Sequence, residues 1–337
     1  MITELTEYYE PEKILHRATQ IKEVDNVFKN FKKFGVASNL LVQGVTGSGK
    51  TTIITKVIKD NTNGNDDFIF ISGAETQTSF KTLRAIFDLN FSTIERVLTE
   101  GVKKLKVHPK IIIIDEVNKI RDCNNLFDNL NTIYRGIQCP IILITNKRTI
   151  VDSMPDDARL TLLFDKIQFP AYNAIEIKDI VKDRIKRIEP KIKVPEGALA
   201  KISAFSARGG SARIALMITM KCILANDYSI KHIDKIAKNL EKEDWLIFVK
   251  GLTPSEKRFL EALLQISDSK PFMRHSDLTT RLKDLSPSRI SQLVTSFEDY
   301  GILVTEYKNF GRGTGRYRII KFASKEIREK MDEVLYG

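Results

Sequence analysis

The chain has 337 residues, enough for two or three domains, and its 42% hydrophobic and 29% charged content is that of a soluble globular protein. A formal net charge of +11 makes a polyanionic partner plausible without naming it, and no uninterrupted apolar run reaches membrane-spanning length. Three scattered cysteines without a C-x-x-C pair and four histidines without ligand spacing argue against a disulfide framework and a zinc site, and the acidic opening "MITELTEYYEPEK", without a signal-peptide core, implies a cytoplasmic protein.

In chain order, "NLLVQGVTGSGKTTIITKVIKD" (39–60) reads as an apolar strand, a glycine-rich turn and a helix. Gly44, Gly49, Lys50 and Thr51 satisfy G-x-x-x-x-G-K-[ST] in the strand–loop–helix context the motif needs. In such a loop, Val45, Thr46, Gly47 and Ser48 with Thr52 curl backbone N–H groups around phosphates, and the helix N-terminus adds its positive dipole end. Lys50 would contact the β- and γ-phosphates of ATP or ADP, and the Thr51 hydroxyl would ligate Mg²⁺.

"FIFISGAE" (68–75) reads as a second strand, and "KIIIIDEVNKI" (110–120) as a strand buried on both faces that ends in two acids. Paired with the phosphate loop, Asp115 would hold the Mg²⁺ shell and Glu116 would activate the attacking water. "CPIILITN" (139–146) is a further buried strand ending in Asn146, an amide that could orient that water or simply begin a turn. With "DKIQFPAY" (165–172) as another strand, the alternation predicts a doubly wound α/β domain with ligands at the C-terminal strand ends.

"NAIEIKDIVKDRIKRIE" opens with Asn173 and Glu176, a helix-start pair, and three more helical patterns follow, so an all-helical module is expected. Thr253, Pro254 and Glu256 open another helix, "MRHSDLTTRLK" makes a second, and "SPSRISQLVTSFEDYGILV" a third. In the third, Ile290, Leu293, Val294 and Phe297 form an inward stripe, while Ser288, Arg289, Ser291, Gln292 and Thr295 form a small polar face. Strand-like "ILVTEY" and "RYRII" then flank "KNFGRGTG", a locally basic hairpin carrying Arg312, Arg316 and Arg318, the last expected to point outward. Three helices and a hairpin are the winged-helix order, in which the third helix enters the major groove and the wing follows the backbone.

Together these motifs resemble an AAA+ ATPase, and several segments resemble the archaeal and eukaryotic origin-recognition initiators (Orc/Cdc type), over residues 10 to about 320. "EPEKILHRATQIKEV" (10–24) resembles the family's N-terminal segment, so the resemblance places His16 and Arg17 beside the adenine pocket. "DEVNKI" resembles its second acidic motif, with Asn118 where a second Asp is usual. The resemblance further implies Asn146 as sensor 1, Arg159 in "DDARLTLL" as an arginine finger acting in trans, and Arg213 in "GGSARIAL" as sensor 2, although Ser211 and Ile214 depart from that last pattern.

It thus implies an α/β AAA+ P-loop domain (1–172), an all-helical lid (173–251) and a C-terminal winged-helix domain (252–337). The implied function is an ATP-dependent initiator that recognises double-stranded origin DNA, recruits or loads a replicative helicase, and hydrolyses ATP slowly. It would assemble with itself or a related AAA+ subunit on DNA, in the cytoplasm with the nucleoid. The short segment before "KIIIIDE" implies a reduced or divergent member and puts a second DNA contact from the ATPase domain in doubt. Two other classes stay open: a DNA-binding regulator using nucleotide as a switch, and a STAND-type signalling ATPase whose winged helix restrains the nucleotide site.

Overall fold

The computed structural model describes residues 2–6, 9–61, 67–147, 150, 154–309 and 316–336, with only the backbone for residues 241–245, 247, 248, 299, 308, 309, 316 and 317. The chain divides into two compact units, Met1–Ile233 and Asp234–Gly337.

In the first unit, α1 (Ala18–Phe34) leads to β1 (Leu40–Gly44), α2 (Lys50–Asn61), β2 (Phe68–Ser72) and the short α3 (Gly73–Thr76). Then come α4 (Ser79–Phe87), α5 (Ile94–Val107), β3 (Ile111–Asp115), α6 (Cys123–Ile137), β4 (Ile141–Thr145), α7 (Asp156–Leu162) and β5 (Asp165–Phe169). The second strand is shorter than its sequence suggests, because residues 73–76 turn into a helix. The five strands form a parallel sheet in the order β2-β3-β4-β1-β5.

Strand β3 shows why an unbroken apolar run is needed. Ile111 and Ile113 pack with Val24, Phe28, Ile53 and Val57 of α1 and α2, whereas Ile112 and Ile114 pack with Leu83, Leu126 and Leu130 of α4 and α6. Successive side chains point to opposite faces, and here both faces are covered, so alternation would leave a polar group buried without a partner. The parallel arrangement also brings the C-terminal ends of β1, β3 and β4 to one edge of the sheet.

Helices α8 (Ala174–Arg187), α9 (Glu196–Ser206) and α10 (Ala212–Ala225) follow, and α11 (Ile230–Gly251) begins in this unit and runs on past its boundary. The Asn173–Glu176 pair forms a reciprocal capping box at the start of α8. Such a cap supplies acceptors for first-turn N–H groups that have no intrahelical partner and contributes about 1 kcal/mol.

The second unit contains α12 (Pro254–Ser269), β6 (Met273–Arg274), α13 (His275–Arg281), α14 (Pro287–Asp299), β7 (Leu303–Asn309), β8 (Arg316–Phe322) and α15 (Lys325–Tyr336). Thr253 and Glu256 form a second capping box, and Ser286 caps α14 with Pro287 in its first turn. Strands β7 and β8 make an antiparallel hairpin in register from Leu303↔Phe322 to Asn309↔Arg316, and β6 adds to the β8 side. The core gathers Phe259, Leu263, Ile290, Leu293, Val294, Phe297 and Ile320, so the inward stripe read from the sequence of α14 is buried. Among the described residues, no helix is long and apolar enough to cross a membrane.

Candidate functional site

Strand β1 ends at Gly44 and α2 begins at Lys50, so the intervening loop lies at the C-terminal edge of the sheet. Gly47 and Gly49 take left-handed backbone angles (φ 77° and 90°), conformations that are cheap for glycine. Lys50 folds back on this loop, its Nζ donating to the carbonyls of Gly44 and Val45 at 2.8 Å each. Burial pulls the Lys50 ammonium down to about 8; Asp115 opposes that shift and Arg213 adds to it. A phosphate arriving there would restore the charged form through a nearby opposite charge.

Thr51 Oγ1 donates to Asp115 Oδ2 at 2.7 Å, and Asp115 Oδ1 accepts from the Glu116 N–H at 2.8 Å. Among the described residues no group of three or more His, Cys, Asp or Glu side chains is placed to hold a metal ion. The Thr51–Asp115 pair is a set that could share a magnesium ion with nucleotide and water oxygens, the usual sharing for this small, reluctantly dehydrated ion.

A cavity of about 820 Å³ opens here, and its lining brings together Thr46, Gly47, Gly49, Lys50, Thr51, Thr52, Asp115, Glu116, Asn146 and Arg213. Val45 and Ser48 complete the loop around it. Asn146 Nδ2 approaches Thr46 Oγ1 at 3.5 Å. The same lining takes apolar side chains, Leu5, Ile14 and Leu15 from the N-terminal segment and Ile180, Leu216 and Met217 from α8 and α10. Charged and apolar side chains in one cavity suit a nucleotide's phosphates and its base.

His16 and Arg17, expected beside the base, are not among the residues lining this cavity. His16 Nε2 lies 3.1 Å from Asp179 Oδ2 of α8. Arg17 is buried, donating through Nη2 to the Pro170 carbonyl at 2.6 Å and through Nε to the Ser48 carbonyl at 3.3 Å. Its guanidinium stacks 3.7 Å above the Tyr172 ring, so it supports the phosphate loop from beneath. The N-terminal segment is held by a residue that sequence reasoning missed. Arg184 of α8 donates to the carbonyls of Glu4 (3.1 Å) and Tyr9 (3.3 Å) and lies over the Tyr9 ring. Nothing local marks Arg184, because its partners lie about 180 positions away.

Arg213 stands in the first turn of α10, whose Ala212 N–H donates to the Gly47 carbonyl at 3.2 Å. This contact leaves no room for a side chain at Gly47, where a Cβ would meet Ser211 Oγ at 2.1 Å. Gly47→Ala would face that overlap together with a left-handed backbone that costs an alanine about 1–2 kcal/mol. Isothermal titration should show ADP binding at least about tenfold weaker; unchanged affinity would mean that the loop and α10 need not close on each other. Arg159 of α7 lies outside the cavity lining: Nη2 donates to the Met154 carbonyl at 3.1 Å, and Nη1 is 3.7 Å from Asp156.

In the second unit, Ser288, Arg289, Gln292 and Thr295 are exposed on α14, and Arg289 Nη1 donates to Gln292 Oε1 at 3.2 Å. Ser291 is half-buried, its Oγ 3.0 Å from His275 Nε2 on α13. Arg318 departs from expectation. Rather than pointing outward, it pairs with Glu298 Oε2 at 2.6 Å, and Glu298 also accepts from the Thr305 hydroxyl. A carboxylate within reach on the packed face of α14 draws the guanidinium inward. Arg312 lies outside the described residues, as does the side chain of Arg316, whose backbone pairs with Asn309.

Comparison with known proteins gives a consistent set of relatives. Residues 37–146 match a family model described as an AAA domain. An ORC1-type DNA replication protein of Thermoplasma volcanium is 24% identical, covering 91% of this chain and 85% of its own length. Another from Picrophilus torridus is 26% identical over 94% and 86%, respectively. Among solved structures, the Aeropyrum pernix ORC1 protein in complex with DNA superposes with a TM-score of 0.75 at 20% identity, covering 99% of this chain and 95% of that one. The Aeropyrum pernix ORC2 protein, solved in ADPNP and ADP complexes, gives 0.61 at 15% identity, with 99% and 97% covered.

Proposed function

From a chain that is a short, divergent relative of the origin-recognition initiators of the AAA+ superfamily, we propose an ATP-dependent replication initiator that recognises duplex DNA and hydrolyses ATP slowly. In this reading residues 1–172 form the nucleotide-binding domain, 173–251 the lid and 252–337 a winged-helix domain. Support for the nucleotide part comes from one cavity holding Lys50, the Thr51–Asp115 pair, Glu116, Asn146 and Arg213. ATP would bind with Mg²⁺ on Thr51 and Asp115, Glu116 would take the proton of the attacking water, and Asn146 and Arg213 would contact the terminal phosphate.

Arg159, outside the cavity of its own chain, would complete the site of a neighbouring AAA+ subunit on DNA. Phosphoryl transfer needs such a charge against the transferring group, so an isolated monomer turns over slowly. Nucleotide then acts as a conformational switch more than as fuel. In this reading the output would be recruitment or loading of a replicative helicase, in the cytoplasm and on the nucleoid.

The observation that carries the DNA part is α14, whose apolar stripe is buried while Arg289 and Gln292 stand exposed and hydrogen-bonded to each other. A short polar helix face of this kind can reach base edges, with arginine and glutamine as the side chains that pair best with guanine and adenine. The test is binding to fragments tiling the protein's own replicon, with excess competitor DNA, across a salt series, with and without ATP. A few fragments should survive competition. In an Arg289→Ala/Gln292→Ala variant the preference should fall by about tenfold or more while nonspecific binding persists. Equal binding to all fragments would leave a backbone binder, and no binding at low salt would move the second unit to protein contact.

A further inference from the structure

The exit of β4 is held by linked polar side chains, of which Thr145 and Gln43 are buried. Thr145 is 1% exposed; its hydroxyl donates to Asn118 Oδ1 at 3.1 Å, and its oxygen accepts from the Lys147 N–H at 3.0 Å. The Lys147 carbonyl accepts from Nε2 of Gln43, a buried residue that faces Thr145 in register on the neighbouring strand. Gln43 Oε1 in turn accepts from Gln168 Nε2 on β5 at 2.7 Å, and the Gln168 carbonyl accepts from Gln20 on α1. Both backbone polar groups of Lys147 are therefore tied to side chains of the sheet.

Asn146 sits between these tied residues, with its amide at the phosphate loop through Thr46. We infer that Thr145 and Gln43 are positioning residues that hold Asn146 against the phosphate loop. Through Asn118, Thr145 also joins the exit of β4 to the turn that follows Asp115 and Glu116. The inference rests on the reading of Asn146 as a contact for the terminal phosphate. Its physical basis is the cost of looseness: a side chain displaced by about 1 Å from its productive place forfeits most of its effect on the reacting group. A buried network holds position well only when every member is satisfied, because a lost partner leaves a desolvated donor or acceptor. Asn118 supplies the acceptor as a neutral amide.

The test uses the full chain and two isosteric variants, Thr145→Val and Gln43→Met, with Thr145→Ser as the conservative control. Affinities for ADP and for a non-hydrolysable ATP analogue are measured with Mg²⁺, together with amide exchange across residues 144–147. Thr145→Val and Gln43→Met should weaken the ATP analogue by about tenfold while leaving ADP within about twofold. The Lys147 amide should exchange faster in Thr145→Val, and Thr145→Ser should restore both behaviours. An unchanged ratio of the two affinities in Thr145→Val would overturn the inference. So would an equal weakening of both nucleotides, which would make Thr145 structural alone. Wild-type protein that binds neither nucleotide would overturn the reading of the site itself, an outcome separate from any variant's behaviour.

Discussion

Glu116→Gln is expected to lower ATP turnover by at least about 10²-fold while leaving nucleotide binding near the wild-type level. Glu116 is exposed at the cavity, and its own N–H is anchored on Asp115, whose other oxygen accepts from Thr51. Its backbone takes a left-handed angle (φ 50°) at the end of β3, which turns the chain sharply just after Asp115. That conformation is uncommon for a residue with a side chain and is kept where surrounding structure over-determines it. Glutamine preserves size and hydrogen bonding but cannot accept a proton from water, so only the chemical step should suffer. Single-turnover hydrolysis with protein in excess, in the presence of DNA so that assembly can occur, measures the step directly. If Glu116→Gln hydrolyses ATP at the wild-type rate, the base lies elsewhere. If hydrolysis and binding fall together, Glu116 shapes the site without serving as the base. The same variant addresses biological output: a protein using nucleotide only as a ligand would keep its activity in cells.

The second large effect concerns stability. Phe297→Ala should cost about 3–5 kcal/mol, the range for a large aromatic removed from a well-packed core. Phe297 is fully buried and stands edge-on to Phe259 at 5.1 Å and to Tyr300 at 6.2 Å. Edge-to-face pairs of this kind add about 0.5–1.5 kcal/mol beyond area burial. A domain of this size has only about 5–15 kcal/mol in total, so the second unit would lose much of its margin. Calorimetry should show its melting transition lowered by more than about 12 °C. Phe297→Leu, which keeps most of the volume, should fall between the two. A transition that does not move in Phe297→Ala would mean the stripe on α14 contributes little to holding the helix in place.

Much of the site was legible because its signals are local. The glycine-rich loop, Lys50 and Thr51 lie within eight residues, and Asp115 and Glu116 follow directly on an isoleucine run that only a strand covered on both faces explains. The capping pairs Asn173–Glu176 and Thr253–Glu256 were equally readable, since a cap and its return partner sit three positions apart. The two faces of α14 follow from helical period alone. What remained illegible lies in pairings set by the fold. Arg17 reaches the Pro170 carbonyl and Arg184 reaches Glu4, across 153 and 180 positions, and each carries a charge that sequence reasoning assigns by default to solvent or to ligand. The inward turn of Arg318 depends on Glu298, twenty positions away on another element.

By itself, then, the sequence determined most of the strands and helices and picked out the glycine-rich loop and the strand-end acids that line one cavity, because period, capping and loop chemistry act over a few residues. Only the tertiary structure decided what holds those groups in place: Arg17 beneath the loop, Arg184 on the N-terminal segment, and Thr145 with Gln43 around Asn146. The physical reason is that a buried polar group must find its partner wherever packing puts one, and packing joins residues with no regard for their distance along the chain.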